Sequence, residues 1–260
     1  MKKFRIIGMV LMAIIMGVSF TSCNPDDKQE EATKKLVKFS INGSETILKY
    51  DDQGHLIEFS DIYDLEETGT YIYTYSFVWN ENSIDITVDL NNDLIEKCTL
   101  LLENGLASEI VGNAFVFDST FKYNSSNRLI ECKNFLGTRS LEWNDDMLTA
   151  NHNNSSISTS NDSYTYDKNY TTKGYNPLIP YYTTTPTDLL YVAHPELAGL
   201  ATQKLFDIEN SNATINDKEY IYSYKYEYKF DEDGYVNKVT VRHNVKDCEH
   251  VVSEYTFVWE

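Results

Sequence analysis

The chain has 260 residues, of which 40 are acidic against 22 Lys and Arg, giving a net charge of −18. Such a charge favours solubility and opposes binding to nucleic acid or to anionic lipid. Twenty Tyr, twelve Phe and three Trp beside only five Pro exclude a disordered chain and point to abundant strands.

The chain opens with Lys2, Lys3 and Arg5, followed by an uncharged apolar run over residues 6–20. A membrane-spanning helix needs about 20 apolar residues, so this run is short for a permanent anchor and suits the core of a signal peptide. Ser19, Thr21, Ser22 and Cys23 come next, and Phe20-Thr21-Ser22-Cys23 resembles the lipobox of bacterial lipoproteins. That pattern usually has Leu where this chain has Phe20. The resemblance implies cleavage after residue 22 and acyl chains on Cys23, which anchor a protein to a membrane without spanning it. The alternative is a soluble secreted protein in which Cys23 is incidental. All 40 acidic residues follow Cys23, so removing the three basic residues of the leader leaves a chain more negative still.

Residues 23–35 read as a flexible, charged tether, with Asp26, Asp27, Glu30 and Glu31 close behind the cysteine. Acidic residues in that place resemble the surface-export signal of Bacteroidota lipoproteins, which implies an outer-membrane lipoprotein facing the medium. The alternative is a tether facing the periplasm.

From residue 36 a strand–corner–strand unit recurs. Tyr50-Asp51-Asp52-Gln53-Gly54-His55-Leu56, Tyr123-Asn124-Ser125-Ser126-Asn127-Arg128-Leu129 and Phe230-Asp231-Glu232-Asp233-Gly234-Tyr235-Val236 share one plan. It is an aromatic, Asp or Asn, two polar residues, Gly or Asn, any residue, then an aliphatic. Asp or Asn at the first corner position accepts backbone hydrogen bonds, and Gly or Asn at the fourth adopts the left-handed conformation. Weaker copies fall at Trp79-Asn80-Glu81-Asn82, Leu102-Glu103-Asn104-Gly105 and Trp143-Asn144-Asp145-Asp146.

Between corners the hydrophobic period is two. Tyr71, Tyr73, Tyr75, Phe77 and Trp79 form one ladder, and Tyr220, Tyr222, Tyr224, Tyr226, Tyr228 and Phe230 form another. Such alternation predicts antiparallel strands with every aromatic on one face, serving as core or as its rim. Residues 151–173, rich in Asn, Ser and Thr, read as a mobile loop flanking a strand at residues 164–166. Residues 177–206 hold four of the five prolines and a helix over about residues 187–194 with Thr187 as its cap, predicting a cap over the sheet. The expected domain is all-β, about twelve to fifteen strands in a curled meander, open or barrel-like, with one short helical cap. It is a single antiparallel domain over residues 36–260, with the cap insertion around residues 177–206.

The corner Tyr50-Asp51-x-x-Gly54-x-Leu56 resembles the tyrosine–aspartate repeat of Rhs-type proteins. The order of corners, the interrupting segment with Leu197-Ala198-Gly199-Leu200, and the closing hairpin at Phe230 resemble a family of Bacteroidales lipoproteins. That family is known only as a domain of unknown function with a porin-like fold. The resemblance implies a many-stranded antiparallel sheet that curls up, and it lends no activity. Lys225, Glu227 and Lys229 on one strand face would be costly on a lipid-facing wall, so the domain is expected outside the bilayer.

Candidate chemistry is sparse. Asp231-Glu232-Asp233-Gly234 has the start of a calcium loop, but the twelfth position is Arg242 rather than Glu, so the turn reading stands. None of the five histidines has the spacing of a metal pair, although His243 and His250 flank the last hairpin. No Gly-x-Ser-x-Gly elbow or phosphate loop is present. Cys98 and Cys132 fall three strands apart in the meander, ~14 Å at ~4.8 Å per strand, too far for a disulfide. The reading is therefore a non-catalytic binding or accessory lipoprotein without cofactor or metal. Its partners would be the membrane, through Cys23, and a glycan or peptide, with Tyr181 and Tyr182 beside Pro180 as ligand-binding candidates. The alternatives are a structural protein whose exposed strand edges pair with an envelope partner, and a hydrolase.

Overall fold

The computed structural model describes residues 33–65, 69–112, 119–134, 137–155, 158–178, 188–245 and 248–260. Cys23, the leader and most of the tether lie outside the described residues, as do Tyr181 and Tyr182. Residues 34–260 form one compact unit.

Its strands are β1 (Leu36–Ile41), β2 (Ser44–Tyr50), β3 (Leu56–Leu65), β4 (Gly69–Trp79), β5 (Ser83–Leu90), β6 (Asp93–Glu103), β7 (Leu106–Gly112), β8 (Ser119–Tyr123) and β9 (Leu129–Asn134). There follow β10 (Gly137–Asn144), β11 (Met147–Ser155), β12 (Ser158–Thr165), β13 (Tyr170–Thr171), helix α1 (Asp188–Ala193), a 3-10 turn (Pro195–Ala198) and β14 (Lys204–Leu205). The chain ends with β15 (Ile208–Ile215), β16 (Lys218–Phe230), β17 (Val236–Val245) and β18 (Cys248–Trp259). Every strand except β13 and β14 joins a closed antiparallel barrel in chain order, and β1 seals it against β18. At the seam Leu36 is opposite Trp259 and Phe39 opposite Phe257. The curled meander thus closes, with sixteen barrel strands where the sequence predicts about twelve to fifteen.

The corners form as their sequence requires. Asp51 Oδ1 accepts the Gln53 and His55 amides, Asn124 Oδ1 those of Ser126 and Arg128, and Asp231 Oδ1 those of Asp233 and Tyr235. The fourth positions Gly54, Asn127 and Gly234 take φ of 91°, 57° and 89°. At the opposite ends of the strands, tight turns such as Asn42-Gly43 and Asn216-Asp217 have positive φ at both central residues, the hand that matches strand twist.

Each of the three corners also carries a second brace. Trp79, Trp143 and Trp259 donate their indole N–H to the carbonyls of Leu56, Leu129 and Val236, the first strand residue after each corner, at 2.8, 2.7 and 2.7 Å. Tyr50, Tyr123, Tyr166 and Tyr228 likewise donate their hydroxyls to the carbonyls of Leu36, Ala107, Leu148 and Phe206. A buried or partly buried ring thereby keeps its polar tip satisfied while tying neighbouring strands together.

Sixteen strands enclose more space than their own side chains fill. Here residues 166–178 and 188–207 turn inward at the corner end and occupy it. Leu190, Tyr191, Val192, Ala198, Leu200 and Phe206 are buried in one cluster with the inward residues Phe39, Phe59, Phe77, Leu100, Ile110 and Phe257. Tyr191 packs edge-on to Phe121, Tyr175 to Trp259, and His194 to Trp79. Arg128 donates to the Ala201 carbonyl and Thr202 to that of Asp146. The segment expected to lie over a sheet is therefore a plug in the barrel mouth.

The outer wall carries charge. Cross-strand ion pairs join Lys38 to Glu45, Lys49 to Glu58, Lys122 to Glu131, Arg242 to Glu227 and Lys238 to Glu254. Ile47, Val78, Ile221 and Val258 stand exposed among these pairs, and the charges interspersed with them would be costly on a wall in contact with lipid.

Candidate functional site

The strands β12, β15, β16, β17 and β18 surround a cavity of about 370 Å³ inside the barrel, with Leu178 of the plug on its lining. Period-two alternation places Ser160 and Asp162 of β12, Glu209 and Ser211 of β15, and Tyr222, Tyr224 and Tyr226 of β16 on this inner face. Ser253 and Tyr255 of β18 complete it.

Two carboxylates are buried here, each held by donors. Asp162 accepts the Ser211 hydroxyl at 2.6 Å and the Asn151 amide at 3.0 Å. Glu209 accepts the Tyr226 hydroxyl. Burial raises the Asp162 pKa above the ordinary carboxyl value, and the hydrogen bonds from Ser211 and Asn151 and the charge of Arg139 oppose that shift. Burial also raises Tyr224, reinforced by Glu209, and raises Tyr255. A phenol in these surroundings remains protonated and available as a donor.

The tyrosines of β16 form a graded ladder. Tyr220 and Tyr222 stack with centroids 6.0 Å apart and planes 2° apart, and Tyr222 and Tyr224 follow at 6.1 Å and 24°. Tyr220 is 38% exposed and Tyr226 only 6%, so the ladder runs from surface to interior. His243, opposite Tyr224 in the ladder of β17, stacks on its ring at 4.9 Å. His243 and His250 do meet in register across the final hairpin.

The 220–230 ladder thus serves in two ways. Tyr226 and Tyr228 pack into the core around Phe206, while Tyr222 and Tyr224 line the cavity. The 71–79 ladder is core at its corner end, where Phe77 is buried and Tyr75 stacks on Phe59 at 4.2 Å. Sequence reasoning missed Asp162, Glu209 and Asn151. Asn151 and Asp162 lie in residues 151–173, whose polar sequence reads as a loop but which supply the end of β11 and the whole of β12, and Glu209 lies on β15. The inner face of β12 places Ser160 and Asp162 on the cavity and only Tyr164 in the core, so it shows little apolar alternation.

No protein-family model and no curated protein matches the chain. Among solved structures, the barrel is similar to a porin-like protein from Bacteroides vulgatus, with TM-score 0.62 and 14% identity over 87% of this chain and 99% of that one. It is equally similar to a porin-like protein from Bacteroides uniformis, with TM-score 0.63 and 15% identity over 88% of this chain and 98% of the other. The fold is porin-like. At these identities the likeness covers architecture alone, and in this porin-like barrel the corner-end mouth is plugged and the outer wall is charged.

Proposed function

We propose that the protein is a non-catalytic binding or accessory lipoprotein of the cell envelope. Acyl chains on Cys23 hold it at the outer membrane, on the side facing the medium, and the barrel stands outside the bilayer on its tether. The carrying observation is the pairing of a charged outer wall with a polar, aromatic-lined cavity inside a closed barrel. The membership in a Bacteroidales lipoprotein family and the kinship of the corners with tyrosine–aspartate repeats belong to the same reading, and the porin-like fold accords with the curled sheet that the family resemblance implies. The ligand is a glycan or a peptide. The porin-like fold of the solved neighbours accords with the non-catalytic reading. Assembly through strand edges is the second reading, and the closed ring of sixteen barrel strands leaves β13 and β14 as the described strands with an open edge for it.

Protease shaving of intact cells tests the placement, with Cys23→Ala beside the wild type. The expected result is a wild type that is membrane-bound and shaved and a variant that is released. A wild type that is bound but protected would mean a periplasmic face, and a variant that stays bound would remove the lipid anchor from the reading.

A further inference from the structure

We propose that the cavity between β12, β15, β16 and β18 is a site for a neutral saccharide, which enters along Tyr220, Tyr222 and Tyr224 and is held by Asp162 and Glu209. This deepens the binding-module reading and rests on it.

The lining selects the ligand by chemistry. Sugars present an apolar C–H face and a rim of hydroxyls that both donate and accept. The rings of Tyr222 and Tyr224, held rigid by stacking on each other and on His243, present their cavity-side edges and phenol tips to the first, apolar area already fixed in place. Asp162, Glu209, Ser160 and Ser211 match the second, combining acceptor-only carboxylates with hydroxyls able to play either part. Both carboxylates are already oriented by neighbouring donors, as preorganised recognition requires.

Competing ligands fit less well. An anion would face Asp162 and Glu209. An apolar ligand would strip water from the same groups and return no hydrogen bond. The positive charge of Arg139 bears on Asp162 and offsets part of the attraction a cation would find there. A peptide recognised by strand addition needs an unpaired edge, and β12, β15, β16, β17 and β18 around the cavity are each paired on both sides within the barrel. The cavity volume is at the small end of ligand pockets, suited to one or two sugar rings.

The test is titration of the full mature protein, purified in a non-glycosidic detergent, with maltose, cellobiose and N,N′-diacetylchitobiose, followed by calorimetry and tyrosine fluorescence. Spermidine and digalacturonic acid serve as charged controls. At least one neutral disaccharide is expected to bind, with affinity weakened roughly tenfold or more by Tyr224→Ala and by Asp162→Asn, a loss of about 1.4 kcal/mol. Tyr224→Phe should keep most of the affinity, and Ile221→Ala on the outer wall should keep all of it. Melting curves establish that each variant is folded. Binding that ignores both Tyr224→Ala and Asp162→Asn would overturn this site while sparing the binding-module reading. Preference for spermidine or digalacturonic acid would overturn the ligand class. Failure of all three neutral sugars would overturn the saccharide assignment, whereas failure of the placement test above would leave it standing.

Discussion

His194 accepts the backbone N–H of Leu56 on Nε2 at 3.1 Å, across 138 residues of sequence. Leu56 is the first residue of β3 after the first corner, and its carbonyl takes the Trp79 indole. Both polar groups of one buried peptide position are thus satisfied by side chains, one from the barrel and one from the plug. The His194 ring also meets Trp79 edge-on at 5.1 Å and Tyr50 at 6.2 Å, so a single residue fastens the plug to three consecutive strands.

His194→Ala should therefore destabilise the protein by about 2 kcal/mol, since it leaves a buried amide unpaired and removes ring contacts. Hydrogen exchange at the Leu56 amide should accelerate more than exchange in β16 or β17. Unchanged protection at Leu56 would show that the plug is held elsewhere.

Gly199 is the tightest point between plug and corner. It has φ of +60°, and an added Cβ would lie 2.0 Å from the Asn127 carbonyl oxygen in the second corner. Backbone on both sides leaves nothing flexible to yield. Gly199→Ala should cost more than about 2 kcal/mol, against the ~1 kcal/mol expected from a left-handed site alone. Gly105→Ala supplies the comparison, because it has φ of +79° with nothing within 4 Å of its Cβ. Chemical denaturation of the pair separates collision from conformational strain.

The indole braces make a third prediction. Trp143→Phe keeps an aromatic ring but leaves the Leu129 carbonyl, which receives Trp143 Nε1 at 2.7 Å, without that donor. The expected loss is about 1–3 kcal/mol. Arg128 lies over the same ring at 5.1 Å, and its share should survive in Phe and vanish in Trp143→Ala. Denaturation midpoints for the two variants check the split.

The corners and ladders were legible because their rules are local. An Asp that accepts two amides and a Gly with positive φ sit within five residues, and alternation is visible within a single strand. Closure was not legible, since the register of Leu36 with Trp259 joins the two ends of the domain. The plug was readable as an interruption, but whether it lies over a sheet or inside a barrel depends on that same closure. Residues 151–163 read as a loop because a strand is recognised by its apolar face, and the inner face of β11 and β12 there carries Asn151 and Asp162 instead.

Inward carboxyls give a pH dependence with a definite sign. Burial raises the pKa of Asp61 above its ordinary 3.8, against the hydrogen bond from Thr46, and raises that of Glu96 above its ordinary 4.5. A carboxyl with a raised folded-state pKa binds its proton more tightly when folded. Its contribution is therefore most favourable in acid and is lost as pH rises through the folded value. Asp61→Asn with Glu96→Gln should melt higher than the wild type at pH 7. That advantage should shrink on acidification and disappear below the ordinary values, where both carboxyls are protonated folded or unfolded. Thermal melts at several pH values decide, and an advantage independent of pH would refute the assignment.

The outer wall supplies the last prediction. Ile221 is 82% exposed on β16, between Tyr220 and Tyr222, which stack on the opposite face. Along the same outward row stand Lys225 and Glu227, the latter paired with Arg242 of β17 at 3.2 Å. A wall built this way already carries charge through the middle of a strand, so one more charge should be unremarkable. Ile221→Lys should change stability by less than about 0.5 kcal/mol. On a lipid-facing wall the same substitution would cost about 2–4 kcal/mol near the bilayer midplane. The comparison is best made in the Cys23→Ala background without detergent, by melting and by sedimentation. Equal melting and a monodisperse variant would support a barrel that stands in water. Loss of the fold, or a detergent requirement in the parent that the variant abolishes, would mean that β16 faces lipid after all.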